Sequence, residues 1–135
     1  MRILVAEDEK NILLMYRVFL EGEGHEVTTA RDGEECLHEY ILSDHQDKPF
    51  DVVILDYRMP NKNGRDVARE ILAKHPGQTI IMITAFSKEL TDFSGIEKIE
   101  VLQKPFELED LTRLLIKLFE PKINSEIPSK KSESV

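Results

Sequence analysis

The sequence predicts an α/β doubly wound fold: a five-stranded parallel sheet with helices on both faces. Two observations and one topological rule lead there. Ile3–Ala6, Val52–Leu55 and Ile80–Ile83 are continuously apolar and mostly β-branched, and strands without polar alternation are those covered on both faces. Segments of helical period stand between them. Strands alternating with helices of this length are joined by right-handed crossovers, which place helices on either side of one sheet.

Taken in order, Ile3–Ala6 opens the sheet, and Ile12, Tyr16, Phe19 and Leu20 share one face of a first helix that stops at Gly22–Gly24. Glu26–Ala30 reads as a second strand, and Cys36, Leu37, Tyr40 and Ile41 mark a second helix. Ser43–Pro49 (SDHQDKP) reads as a polar loop before the strand Val52–Leu55. Val67, Ile71 and Leu72 define a third helix, ended by His75-Pro76-Gly77, and Ile80–Ile83 follows as the fourth strand. From Phe86 to Ile99, with Gly95 as a breaker, a fourth helix is expected to be short or irregular. Glu100–Gln103 completes the sheet, and Leu108, Leu111, Leu115 and Leu118 form the face of a last helix. After Pro121 the chain is rich in Ser, Lys, Glu and Pro, with Ile123, Ile127 and Val135 isolated. Residues 121–135 therefore read as a disordered tail or a truncated linker, and 1–120 as the domain.

At 135 residues with 41% hydrophobic and 33% charged content, one globule with a real core is expected. The net charge of −8 argues against a nucleic-acid surface, which requires clustered Lys and Arg. Cys36 is the only cysteine, so an internal disulfide is excluded and a reducing, cytoplasmic setting is expected. The apolar start Ile3–Ala6 runs straight into Glu7-Asp8-Glu9, too short for a signal or membrane segment. His25, His38, His45 and His75 lack a short ligand spacing, which favours surface or helix-end roles over zinc.

In an open parallel sheet, ligands bind beyond the carboxyl ends of the strands. Those ends carry Glu7 and Asp8, then Asp56, then Thr84, then Lys104 before Pro105. Taken singly, Asp8 reads as a cap for a helix beginning near Glu9, Asp56 as a loop cap, Thr84 as a strand end and Lys104 as a surface lysine. Jointly they converge on one edge. Three close carboxylates repel each other unless a hard dication lies among them, and Mg²⁺ suits an all-oxygen set. A carboxylate can also be a nucleophile toward phosphorus, a reaction that depends on positioning and on charge neutralisation by groups such as Lys104 and Thr84.

In order, the chain shows ILVAEDE, DG after the second strand, VVILDYRMP with NKNG, IIMITA, and LQKPF. This combination resembles the receiver domain of two-component response regulators over Met1 to Glu120, in wording closest to receivers that precede ATPase-type transcription activators. The resemblance implies a flavodoxin-like receiver fold with strand order 2-1-3-4-5. It implies that Asp56 accepts a phosphoryl group from a histidine kinase or phosphotransfer protein. Glu7, Asp8, Asp56 and the backbone carbonyl of Arg58 would hold Mg²⁺, Lys104 would neutralise phosphoryl oxygens, and Thr84 would move to bond one of them. The peptide bond before Pro105 would be cis. Enzymatic chemistry would be limited to self-catalysed phosphotransfer and slow autodephosphorylation, with a switch in partner binding or dimerisation as output. A homodimer would use the last helices and strand, where Phe93, Ile96, Leu114 and Phe119 are equally well explained by core packing. Neither direct nucleic-acid binding nor membrane association is implied for this domain.

Three departures from that pattern stand out. Val101 occupies a position that is often aromatic, which shifts the expected conformational change toward Phe86, Leu90 and Phe93. Arg58 and Phe86 stand two residues beyond Asp56 and Thr84, flanking the path of a hydrolytic water, so a long-lived phosphoryl group is expected. Lys62 replaces a usually apolar residue. Two rival functions fit the sequence less well. A haloacid-dehalogenase-type phosphatase needs a second Asp two residues after the nucleophile, where this chain has Arg58. A pseudo-receiver that never takes phosphate has no need of the costly acidic cluster.

Overall fold

The computed structural model describes residues 1–85 and 99–119. The chain divides into two compact units, Met1–Pro105 and Phe106–Val135. Within the first lie β1 (Arg2–Ala6), α1 (Lys10–Gly22), β2 (Glu26–Ala30), α2 (Gly33–His45), β3 (Val52–Asp56), α3 (Gly64–Lys74), β4 (Thr79–Thr84) and β5 (Ile99–Gln103). The described part of the second is α4 (Leu108–Phe119). The expected short helix between Phe86 and Ile99, and the tail after Pro121, lie outside the described residues.

The five strands are all parallel, in the order β2-β1-β3-β4-β5. Ile3 pairs with Val52, Val52 with Thr79, and Thr84 with Gln103, so the carboxyl ends of β1, β3, β4 and β5 come out together. β1, β3 and β4 are central and almost wholly buried, which is why they read as unbroken apolar runs. β2 and β5 form the edges, and their half-exposed patterns account for Thr28, Thr29, Glu100 and Gln103.

Side-chain alternation sorts the core into two faces. Leu4, Ala6, Val53, Leu55, Ile80 and Met82 point to one, where Cys36 and Tyr40 of α2 and Val67, Ala68 and Ile71 of α3 cover them. The opposite positions Ile3, Val5, Val52, Ile54, Ile81 and Ile83 are equally buried. α1 lies outside the first cluster and serves this second face with Leu13, Tyr16 and Leu20. Leu13, rather than Ile12 or Phe19, is the centre of that stripe, because the helix is rotated to bring Tyr16 inward. In the second unit, Leu111 and Leu115 are the buried residues of α4.

Caps set the helix starts. α1 is capped by Glu9, whose Oε1 accepts from the amides of Asn11 and Ile12 at 2.9 and 3.2 Å. The cap is therefore one residue later than Asp8, which the sequence alone had offered for that role. α2 is capped by Asp32 and α3 by Asn63, each through the third amide beyond it. The segment Ser43–Pro49 is not all loop: α2 continues through His45, with Ser43 buried and its hydroxyl donating to the Lys48 carbonyl. Asp47, at φ 58°, makes the turn instead. Lys62, which stands where an apolar residue is usual in the family it resembles, pairs its ammonium with Glu70 of α3.

Candidate metal and phosphoryl site at the carboxyl edge of the sheet

Glu7 follows β1 directly, and its amide extends the ladder by donating to the Ala30 carbonyl at 3.1 Å. The side chain is turned inward and is 2% exposed. Its Oε2 accepts from the Glu9 amide at 2.8 Å, but Oε1 is buried with no hydrogen-bond partner among the described residues. Asp8 is exposed. Asp56 is the last residue of β3, 8% exposed, and the carboxylates of Glu7, Asp8 and Asp56 each bring an oxygen to within 4.8 Å of the others. Carboxylates this close can bond one another only through a shared proton or a cation.

The neighbouring strands supply the cationic and hydroxyl groups. Lys104 Nζ lies 3.4 Å from Asp56 Oδ1. Its amide donates to the Thr84 carbonyl at 2.8 Å, which ties the loop after β5 to the end of β4, and the following bond to Pro105 is cis. Thr84 itself is 1% exposed. Beyond Asp56, the Tyr57 amide donates to the Ile83 carbonyl at 2.8 Å, and the Gly64 amide closes the loop onto the Tyr57 carbonyl at 2.8 Å. Arg58, two residues past Asp56, has an exposed side chain.

Gly64 is required where it stands. A Cβ there would lie 2.6 Å from the Asp56 carbonyl oxygen and 2.7 Å from Met82 Sδ. The start of α3 thus presses on the backbone of Asp56, which only a glycine permits.

Burial raises the pKa of Glu7 to about 7, against the Glu9 amide, with the charge of Asp56 pushing the same way and Lys104 opposing. Asp56 is raised as well, chiefly by burial, with Lys104 as the main opposing influence. Tyr16 of α1 is buried beneath this cluster, and burial together with the charges of Glu7 and Asp56 raises its phenol. Nothing in the sequence pattern marked Tyr16 as more than a core residue. An unpartnered buried carboxylate oxygen and raised carboxyl pKa values describe a site short of positive charge. The donor set, oxygen only, fits a hard dication such as Mg²⁺.

Comparison with known proteins agrees with this geometry. The profile of the response regulator receiver domain matches residues 3–116. Response regulator RR06 of Streptococcus pneumoniae is 36% identical over 110 residues, covering 80% of this chain and 48% of that protein. Transcriptional regulatory protein CpxR of Escherichia coli is 35% identical over 113 residues, covering 82% of this chain and 45% of its own length. The chain thus spans about half the length of these relatives. Among solved structures, response regulator TrrA of Thermotoga maritima, in complex with Mg²⁺-BeF, is 37% identical with a TM-score of 0.73, covering 87% of this chain and 98% of that one. A response regulator receiver domain from Clostridium thermocellum is 32% identical with a TM-score of 0.73, covering 98% of both chains. The chain belongs to the receiver domain family of two-component response regulators. Among the described residues, no helix is long and apolar enough to cross a membrane.

Proposed function

We propose that residues 1–120 form a phosphoacceptor switch in which Asp56 takes a phosphoryl group from a histidine kinase or phosphotransfer protein, residues 121–135 being a tail or linker. The observation that carries this reading is the meeting of three carboxylates, one with an unpartnered buried oxygen, and an ammonium 3.4 Å from Asp56. The Mg²⁺-BeF complex of TrrA, 37% identical, supports the same assignment.

In this reading Glu7, Asp8 and Asp56, with the Arg58 carbonyl, hold Mg²⁺. The ion neutralises the carboxylates and the transferring oxygens when bound. A carboxylate oxygen of Asp56 attacks phosphorus, the new O–P bond forms as the P–N bond to the donor imidazole breaks, and the imidazole leaves with its electron pair and takes up a proton. Lys104 holds the charge that develops on the phosphoryl oxygens, and Thr84, at the end of β4, reaches one of them afterwards. In this reading the acyl phosphate is the signalling state, and the chain's own chemistry is limited to self-catalysed phosphotransfer and slow autodephosphorylation. A kinase donor places the domain in the cytoplasm. The output is a change in protein partners, with a homodimer through the last helices and strand as one form of it.

The test is incubation with Mg²⁺ and acetyl phosphate, followed by intact mass for wild type and Asp56→Asn. One added phosphoryl group in wild type only, labile in base and formed only with Mg²⁺ present, is the expected result. An unmodified wild type that also fails to bind a beryllofluoride mimic makes the domain a phosphorylation-independent binding module. Steady hydrolysis of an ordinary phosphomonoester would make it a phosphatase.

A further inference from the structure

Resting on the phosphoacceptor reading above, we propose that the hydrogen bond between Asp32 and Asn61 positions the β3–α3 loop for phosphoryl transfer, so that both are positioning residues of the site. Asp32 uses its two carboxylate oxygens for different tasks. Oδ1 accepts from the Glu35 amide at 2.8 Å and starts α2, while Oδ2 accepts from Asn61 Nδ2 at 3.0 Å. A helix start on the β2 side of the sheet therefore holds the loop that leaves β3.

The contact is reinforced beside it. A Cβ on Gly33 would meet the Lys62 carbonyl oxygen at 2.2 Å, so α2 and the loop approach as closely as backbone allows. Asn61 is at φ 70°, in the left-handed region that Asn tolerates better than most residues. Lys62 donates its amide to the Pro60 carbonyl at 2.7 Å and pairs its ammonium with Glu70. At the other end, the Tyr57 amide is bound to β4 and the Tyr57 carbonyl to Gly64. Arg58 and Pro60 flank Met59, whose side chain is buried in the core, and this stretch lies between two polar anchors, Tyr57 on one side and Asn61 on the other. Arg58 supplies the carbonyl assigned to Mg²⁺, so its position depends on both.

An exposed hydrogen bond contributes little to global stability. Its loss should leave the protein folded and displace the loop, which transfer chemistry reads sensitively. Asn61→Asp sets two carboxylates face to face and opens the contact. Adding Asp32→Asn to it rebuilds the bond in reverse, the new amide donating to the new carboxylate, at the original net charge and with the α2 cap oxygen retained.

The measurement is the initial rate of phosphorylation by acetyl phosphate, followed by intact mass, with Mg²⁺ affinity and melting temperature recorded in parallel. Asn61→Asp is expected to slow phosphorylation ~10-fold at a nearly unchanged melting temperature, and the swapped pair to return to the wild-type rate. Added negative charge by itself would tighten Mg²⁺ binding, the opposite sign. Asn61→Gly keeps the left-handed backbone without the amide and is expected to slow the rate about threefold, should the aspartate variant fail to fold. An Asn61→Asp or Asn61→Gly protein as fast as wild type overturns the proposal, as does a swapped pair that melts like wild type yet stays slow. A wild type that takes no phosphoryl group overturns the phosphoacceptor reading itself, and this inference with it.

Discussion

Lys104 Nζ sits 3.4 Å from Asp56 Oδ1, a lysine at the end of the edge strand facing an aspartate at the end of a buried one. The ammonium partly offsets the burial that raises Asp56. In the phosphoacceptor reading proposed above, it also stands where the phosphoryl oxygens would need positive charge. Lys104→Ala is therefore expected to slow phosphorylation by about 100-fold, the scale of losing one charge-stabilising donor. Mg²⁺ should bind at least as tightly, since a competing cation has been removed. Acetyl phosphate kinetics and an Mg²⁺ titration read by tyrosine fluorescence, with Tyr57 next to Asp56, measure the two effects separately. Equal loss of both would show that Lys104 builds the site rather than serving its chemistry.

The buried acids make a second prediction about pH. Glu7 rises from an ordinary 4.5 to about 7 in the folded protein, mainly through burial. The folded state then binds a proton that the unfolded chain has released, so the stability associated with Glu7 is fully present below pH 4.5 and lost as pH rises to about 7. Without divalent metal, urea unfolding should show the domain less stable at pH 7.5 than at pH 5, by an amount on the order of 2 kcal/mol. Glu7→Gln should flatten that slope, and Mg²⁺ should restore stability at the higher pH by linkage. A slope that survives in Glu7→Gln would assign the effect to other carboxylates.

The sheet and the side chains gathered at its edge were legible in the sequence for one physical reason. A strand buried on both faces cannot carry polar residues, so Val52–Leu55 and Ile80–Ile83 announce themselves, and Asp56 and Thr84 are conspicuous because they end such runs. What stayed hidden depends on contacts between distant segments. That Glu7 is buried with an unpartnered oxygen while Asp8 stays exposed, and that Tyr16, 9 residues on, feels the charge of Glu7, depends on how the chain folds back and no local pattern records it. Residue type favours Asp8 as the α1 cap, yet Glu9 takes that place with extended backbone, its longer side chain curling back to the amides of Asn11 and Ile12. Likewise the end of α2 was misread at Ser43, because a polar residue inside a helix is accommodated there by the Lys48 carbonyl.

Gly64 gives a third prediction, and its sign runs against helix propensity. At the first position of α3, alanine would ordinarily favour the helix by up to about 1 kcal/mol. Here the new methyl would meet the Asp56 carbonyl oxygen at 2.6 Å and Met82 Sδ at 2.7 Å. The methionine can swing aside, but the backbone of a buried central strand cannot. Gly64→Ala is expected to destabilise by about 1–3 kcal/mol, as overpacking does. It should also weaken Mg²⁺ binding, because the strain falls on Asp56, one of the three clustered carboxylates. A denaturation midpoint at or above wild type would show that α3 moves without cost.

Cys36 supplies the last prediction, because its thiol reports on whether α2 ever leaves the sheet. The side chain is wholly buried among Leu4, Tyr40 and Val53 on the face covered by α2 and α3. Burial pushes its pKa up to about 12, with the nearby carboxylates of Glu39, Asp32 and Glu35 adding to the rise. At pH 8 only about one thiol in 10,000 would be the reactive thiolate, and burial denies even that fraction access to reagent. Iodoacetamide should therefore modify the folded domain no faster than the domain unfolds globally, and immediately in concentrated guanidinium. Cys36→Ser, which places a hydroxyl where the thiol made apolar contacts, is expected to cost about 1–3 kcal/mol. Alkylation that outruns unfolding, measured against the urea-derived unfolding rate, would mean that α2 opens alone. In that case its start at Asp32, and the loop it holds through Asn61, would be a moving part of the site instead of its fixed wall.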